Sequence, residues 1–427
     1  MNSPRLWIAL TRPDNLVSAL AVARALRGRC AGCCLVYENS AWWQAAAWDR
    51  YRPLFDEIHA VDKVTSCRGL RDVPRFYRAL KARQTALRAL RIGPGDLLVV
   101  LAGITALGNA VASAYPDVTK LFCTTVKKYA DASRPYSFGK YRHTTSGWLQ
   151  YRWLEPWAGL RRTLHLKPWR GGGDGVRLER LEDSLDAVYD EVLLLSNDGT
   201  GLPSGAGLNV HPTPFPSLAD VGATTGSAAG ERPAAARKVV FFGTPFLLVR
   251  NLSAAAYAGR LNDCLDYLRR CYGAECELIY RPHPAETTER QRLGLDGFRV
   301  EEDRQVAELY FLQHARQIAA VFSVSSTVSR VALNFGLDGY ALWRCFPFDA
   351  GAAAYFESLM GRVPAAFDIR SLERPPVSYA GVGASGDGHA MGFTAALQAA
   401  CDRLGIADRV APPRPEKAVA TALGTPV

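Results

Sequence analysis

Two short runs of this chain carry residue types suited to handling a phosphate and a proton. Arg281-Pro282-His283-Pro284 follows an apolar run at 276–280, and forty residues past the histidine a second apolar run ends in Ser323-Val324-Ser325-Ser326-Thr327. Prolines on both sides restrict the backbone around His283, and an imidazole with an ordinary pKa of about 6.5 suits proton donation to a departing phosphate. Ser325, Ser326 and Thr327 stand where a helix should begin, because Val328, Val331, Ala332 and Phe335 follow at helical spacing and Gly336 stops the pattern. Backbone N–H groups at such a start favour an anion by roughly 0.3–1 kcal/mol before any hydroxyl is counted. An isolated His-Pro is more often a surface turn, and a single serine at a helix start is usually a cap. The strand-end setting and three consecutive hydroxyls favour the phosphate reading over both. His211-Pro212 has the same dipeptide within a Gly/Pro-rich stretch with no strand before it, and reads as structural.

The elements that must hold these residues follow an alternating order. Strands are expected at 6–10, 34–37, 57–61, 97–101, 119–124 and 191–195, with helices at 14–26, at 74–90 and ending at Ala114. The pattern restarts at Lys238, with strands at 239–242, 277–280 and 319–322 and helices at 253–271 and 303–315. Strand and helix in alternation predict parallel sheets, and ligands of such sheets sit outside the carboxyl ends of the strands. A chain of 427 residues exceeds what one core usually organises. The fold class expected is therefore α/β, with two doubly wound domains at 1–199 and 238–410 facing one cleft. Residues 200–237 are rich in Gly, Ser, Pro, Ala and Thr and read as a linker, and 411–427 read as a disordered tail.

Composition narrows the function classes. The longest apolar stretch, 97–114, is split by Gly103, Thr105, Gly108 and Asn109, so no membrane-spanning helix is expected. The apolar run at 6–10 is too short for the core of a signal peptide, which points to a cytoplasmic protein. Ten cysteines at irregular spacing suit buried small side chains in a reducing compartment, and Cys30-x-x-Cys33 lacks the second Cys/His pair that a zinc site needs. Ten Lys/Arg against Asp131 and Glu155 lie within 127–170, interleaved with Trp148, Trp153, Trp157 and Trp169. With no nucleic-acid module beside it, that mixture favours an anionic glycan acceptor or peripheral contact with the inner membrane over nucleic acid. A solvated basic face over core tryptophans is the plainer alternative.

The His-Pro after a strand, the later Ser-Ser-Thr cluster and the opening unit with Asn15-Leu16-Val17-Ser18-Ala19-Leu20 resemble the bacterial sialyltransferases and polysialyltransferases of the GT-B fold. The resemblance implies that His283 assists the departure of CMP and that Ser325, Ser326 and Thr327 hold the donor phosphate. Gly243, Arg281, Pro284 and Ser323 complete the donor-side set. It further implies inversion at the anomeric carbon with no metal and no cofactor beyond the CMP-sugar donor, and the absence of any Asp-x-Asp agrees. The acid-acid-Gly tripeptide that supplies the family's base is missing. Two degraded forms remain, Asn197-Asp198-Gly199-Thr200 and Tyr129-Ala130-Asp131-Ala132-Ser133, so either Asp198 or Asp131 is the candidate base, and either could be a turn residue. The expected activity is transfer of sialic acid from CMP-sialic acid to a capsule or lipopolysaccharide-type glycan. A CDP-glycerol or polyol-phosphate transferase and a non-catalytic relative stay open, with a nucleotide-sugar epimerase behind them.

Overall fold

The computed structural model describes residues 4–10, 15–39, 51–63, 73–101, 106–115, 117–125, 166–168, 176–178, 189–195, 209–222, 237–244, 252–283, 286, 289–303, 305–360, 363–379 and 391–406. They form two compact units, each with its own parallel sheet.

In the first unit, β1 (Arg5–Leu10), β2 (Gly32–Asn39), β3 (Glu57–Asp62), β4 (Leu97–Leu101) and β5 (Thr119–Thr125) alternate with α1 (Leu16–Leu26), α2 (Val73–Arg88) and α3 (Ala106–Ala114). A two-stranded antiparallel ribbon, β6 (Leu166–Pro168) with β7 (Val176–Leu178), precedes β8 (Glu191–Leu195) and β9 (Val210–Thr213). The sheet runs β3-β2-β1-β4-β5-β8-β9, parallel throughout. Such strands are covered on both faces, which is why β1 and β4 read as unbroken apolar runs and are buried along their whole apolar length.

The second unit contains β10 (Arg237–Phe242), α4 (Ala254–Tyr272), β11 (Cys276–Arg281), β12 (Phe298–Val300), α5 (Ala307–His314), β13 (Ile318–Ser323), α6 (Val328–Asn334), β14 (Gly339–Ala341) and α7 (Ala350–Met360). Its strands, also parallel, run β12-β11-β10-β13-β14. Val239, Val240 and Phe241 of β10 are fully buried, and α4 lays Tyr257, Leu261, Cys264, Leu265 and Leu268 against Val239 and Phe241 in one core. Ser253 caps α4 by accepting from the Ala256 N–H at 3.1 Å. Gly336, at φ +68°, takes the left-handed conformation that ends α6. Helix α5 begins four residues later than its apolar pattern predicts, because Glu301 and Asp303 are engaged with Arg281 and Val306 is extended.

Two expected boundaries are corrected. Part of the expected linker at 200–237 is β9, the outermost strand of the first sheet, so His211 lies in a strand rather than in a flexible segment. The expected second domain ended at 410, yet α8 (Phe393–Arg403) belongs to the first unit. It is held there chemically. Arg403 forks onto Glu191 of β8 at 3.1 and 2.9 Å, Arg29 meets Asp402 at 2.6 Å, and His211 Nε2 lies 2.7 Å from the same Glu191 carboxylate. Cys401 of α8 is buried near Cys30 and Cys123, and burial pushes the Cys30 thiol up to about 11 and that of Cys401 to about 12. Those thiols are packing groups rather than nucleophiles. Because Glu191 is nearly buried while Arg403 is partly exposed, Glu191→Gln should destabilise the first unit by about 1–2 kcal/mol. Hydrogen exchange should then show faster amides across α8 and unchanged amides in β10 and β13.

Candidate functional site

The carboxyl ends of β10, β11 and β13 bring the two chemical runs to one edge. Register places Phe242 opposite Arg281 on one side and opposite Ser323 on the other. Thr244, His283 and Ser325 each lie two residues past that row. Strand order reverses between β10 and β13, since the chain adds β11 and β12 on one side of β10 and then β13 and β14 on the other. That reversal is the switch point at which open α/β sheets bind ligands. Strands two places apart stand about 10 Å from each other, which sets the separation of the ends of β11 and β13.

His283 is half-buried just beyond β11, after a proline that ends the ladder. Its carbonyl accepts from the Glu286 N–H at 2.8 Å, which closes a turn. Glu286 ties that turn down. The Tyr280 hydroxyl donates to its Oε2 at 2.9 Å, and a Cβ on Gly243 would fall 1.9 Å from its Oε1. A side chain at 243 would therefore require the Glu286 carboxylate to move away. Burial lowers the His283 pKa below its ordinary value and favours the neutral ring in the free protein. A phosphate anion beside it would act in the opposite direction.

Arg281, expected on the donor side, is turned into the protein. It is 3% exposed, pairs with Glu301 at 3.1 Å and with Asp303, donates to the Gln305 carbonyl at 3.1 Å, and stacks 4.0 Å from the Tyr310 ring centroid. Ser323 is likewise internal, with its hydroxyl 2.8 Å from Ser329 Oγ and 3.1 Å from the Ser326 carbonyl, while Ser329 donates to the Tyr340 carbonyl. Both groups are engaged internally, since a group at the last strand position can face the core as readily as the edge. Of the remaining hydroxyls, Ser325 is nearly buried, Ser326 is half-buried and accepts from the Val328 N–H at 3.3 Å, and Thr327 is exposed. Pro284, Asp131 and Asp198 lie outside the described residues, as do most of residues 127–170. The strands that precede the two aspartates are neighbours, with Thr125 of β5 opposite Leu195 of β8. Glu286 and Thr244 lie beside these runs and were not singled out in the sequence; a carboxylate three residues after His283 was the available signal for the first.

No protein-family profile and no curated protein matches the chain. Solved structures do. The S. aureus MnaA–UDP co-structure aligns over 95% of this chain and 98% of that one, at 10% identity and a TM-score of 0.50. UDP-GlcNAc 2-epimerase from Neisseria meningitidis bound to UDP-GlcNAc covers 79% and 82% at 11% identity and 0.43. An α/β-galactoside α-2,3-sialyltransferase from Photobacterium phosphoreum covers 86% and 98% at 10% identity and 0.43. The architecture is the GT-B fold, with two parallel sheets and flanking helices, and likeness at this identity establishes the fold alone.

The hydrogen bonds set Ser323, which is engaged internally, apart from Ser325 and Ser326, which the sequence reading assigns to the donor phosphate. Ser323→Ala should cost about 1–2 kcal/mol in denaturant unfolding and leave nucleotide affinity unchanged. Ser325→Ala combined with Ser326→Ala should do the reverse, weakening nucleotide binding more than it lowers the melting temperature.

Proposed function

We propose that this protein is an inverting glycosyltransferase that uses a nucleotide-linked donor, and that the donor is CMP-sialic acid. The observation that carries the reading is the placement of His283 and Ser325 at one switch point, each two residues past the row of Arg281, Phe242 and Ser323. The choice of CMP-sialic acid is supported by the His-Pro and Ser-Ser-Thr resemblance, and a nucleotide-sugar ligand is in keeping with the fold. In the reaction the acceptor hydroxyl oxygen attacks the anomeric carbon as the bond from that carbon to the donor phosphate oxygen breaks. His283 gives its proton to that oxygen, and Asp131 or Asp198 takes the proton of the acceptor hydroxyl. Imidazolium and hydroxyl donors stabilise the leaving phosphate, so the reading requires no metal and predicts activity in chelator. The acceptor is a cell-surface glycan precursor, met in the cytoplasm or at the inner face of the membrane. No helix among the described residues is long and apolar enough to cross a membrane.

Incubation with a panel of CMP-, CDP- and UDP-linked donors, with nucleotide release as the readout, tests this directly. Release from CMP-sialic acid, lowered about 10²–10⁴-fold by His283→Ala in a protein of unchanged melting temperature, is expected. Release from CDP-polyols or UDP-sugars alone would contradict the donor assignment. Release from none would leave a donor-binding relative without transfer activity.

A further inference from the structure

Thr244 follows Gly243 at the carboxyl end of β10, between the ends of β11 and β13. Its backbone is pinned from two directions, since the Gly243 N–H donates to the Arg281 carbonyl at 2.9 Å and the Tyr257 hydroxyl donates to the Thr244 carbonyl at 3.0 Å. The residue is 3% exposed, and its Oγ1 finds no hydrogen-bond partner among the described residues. A buried hydroxyl left in that state is unfavourable, and native proteins keep few of them. Thr124, Tyr267 and Tyr310 also carry such hydroxyls, but Thr244 is the one at the end of the strand on which the switch point turns. On the adjoining strands His283 and Ser325 hold the same position, two residues past the row that ends the register.

We propose that Thr244 is a donor-binding residue whose hydroxyl donates a hydrogen bond to the phosphate of the nucleotide donor. The inference rests on the reading of this edge as a donor site and adds a residue to it. A phosphate oxygen arriving between His283 and Ser325 supplies the acceptor that the folded chain withholds from Thr244. The hydroxyl then contributes to affinity and nothing to the stability of the free protein. This separates it from Ser323, whose hydroxyl is already bonded internally.

Thr244→Val removes the hydroxyl and keeps the branched shape. Its melting temperature should equal or exceed that of the unaltered protein, and its Kd for CMP by calorimetry should rise about tenfold, the size of one lost hydrogen bond to a charged oxygen. Thr244→Ser should bind CMP as the unaltered protein does and guards against a failure of the valine variant to fold. An unchanged Kd in Thr244→Val, where the unaltered protein binds CMP, would overturn the inference alone. A lower melting temperature with unchanged Kd would show that the hydroxyl has a structural partner, and would overturn it equally. If the unaltered protein binds neither CMP, CDP nor UDP, the donor-site reading fails and takes this inference with it.

Discussion

A buried guanidinium fixes the edge at which the second sheet can meet a ligand. Arg281 ends β11 with almost no solvent exposure, and a cation in that position is tolerable only if it is paired and hydrogen-bonded. Glu301, Asp303, the Gln305 carbonyl and the face of Tyr310 meet that requirement, which ties the end of β11 to the segment after β12 and to α5. The strand therefore stops at a defined residue. Pro282 has no N–H to extend the ladder, and the turn from His283 to Glu286 is held by its own backbone hydrogen bond and by the Tyr280 hydroxyl on Glu286. The imidazole inherits its position from these contacts.

Much of this architecture was legible in the order of residues, and its failures have identifiable causes. Unbroken apolar runs such as 97–101 and 239–242 announce strands covered on both faces, and the strands formed where expected within a residue or two. Strand β9 escaped because Val210-His211-Pro212-Thr213 carries a proline and sits among loop-forming residues. An outermost strand tolerates proline, since one side of its backbone has no ladder to complete, and β9 is outermost. Helix α8 has ordinary helical spacing in Phe393, Ala396, Leu397, Ala400 and Cys401. That spacing shows that one face is buried without showing which sheet it covers. The partner is set by Glu191, more than two hundred residues earlier in the chain.

The candidate site was legible as composition but not as direction. His283 and Ser325 were singled out as candidates from their strand-end context, and the register brings their strands to either side of β10. Arg281 and Ser323 have the same polar character and the same strand-end position, yet both face inward, because each has internal partners whose positions depend on tertiary packing. Thr244 was invisible for the opposite reason. Nothing in Gly-Thr-Pro distinguishes a satisfied hydroxyl from one left without an acceptor.

The state of the His283 ring in the presence of nucleotide decides the account. Nitrogen and proton shifts of the imidazole, followed by NMR across pH with and without CMP, report its pKa in both states. Burial favours the neutral form, so the free protein should titrate below the ordinary value of about 6.5, and bound phosphate favours the imidazolium, so CMP should move the pKa upward. A His283 pKa that stays where it was, or falls, while CMP is bound would contradict the assignment of this edge as the place where the leaving phosphate receives its proton.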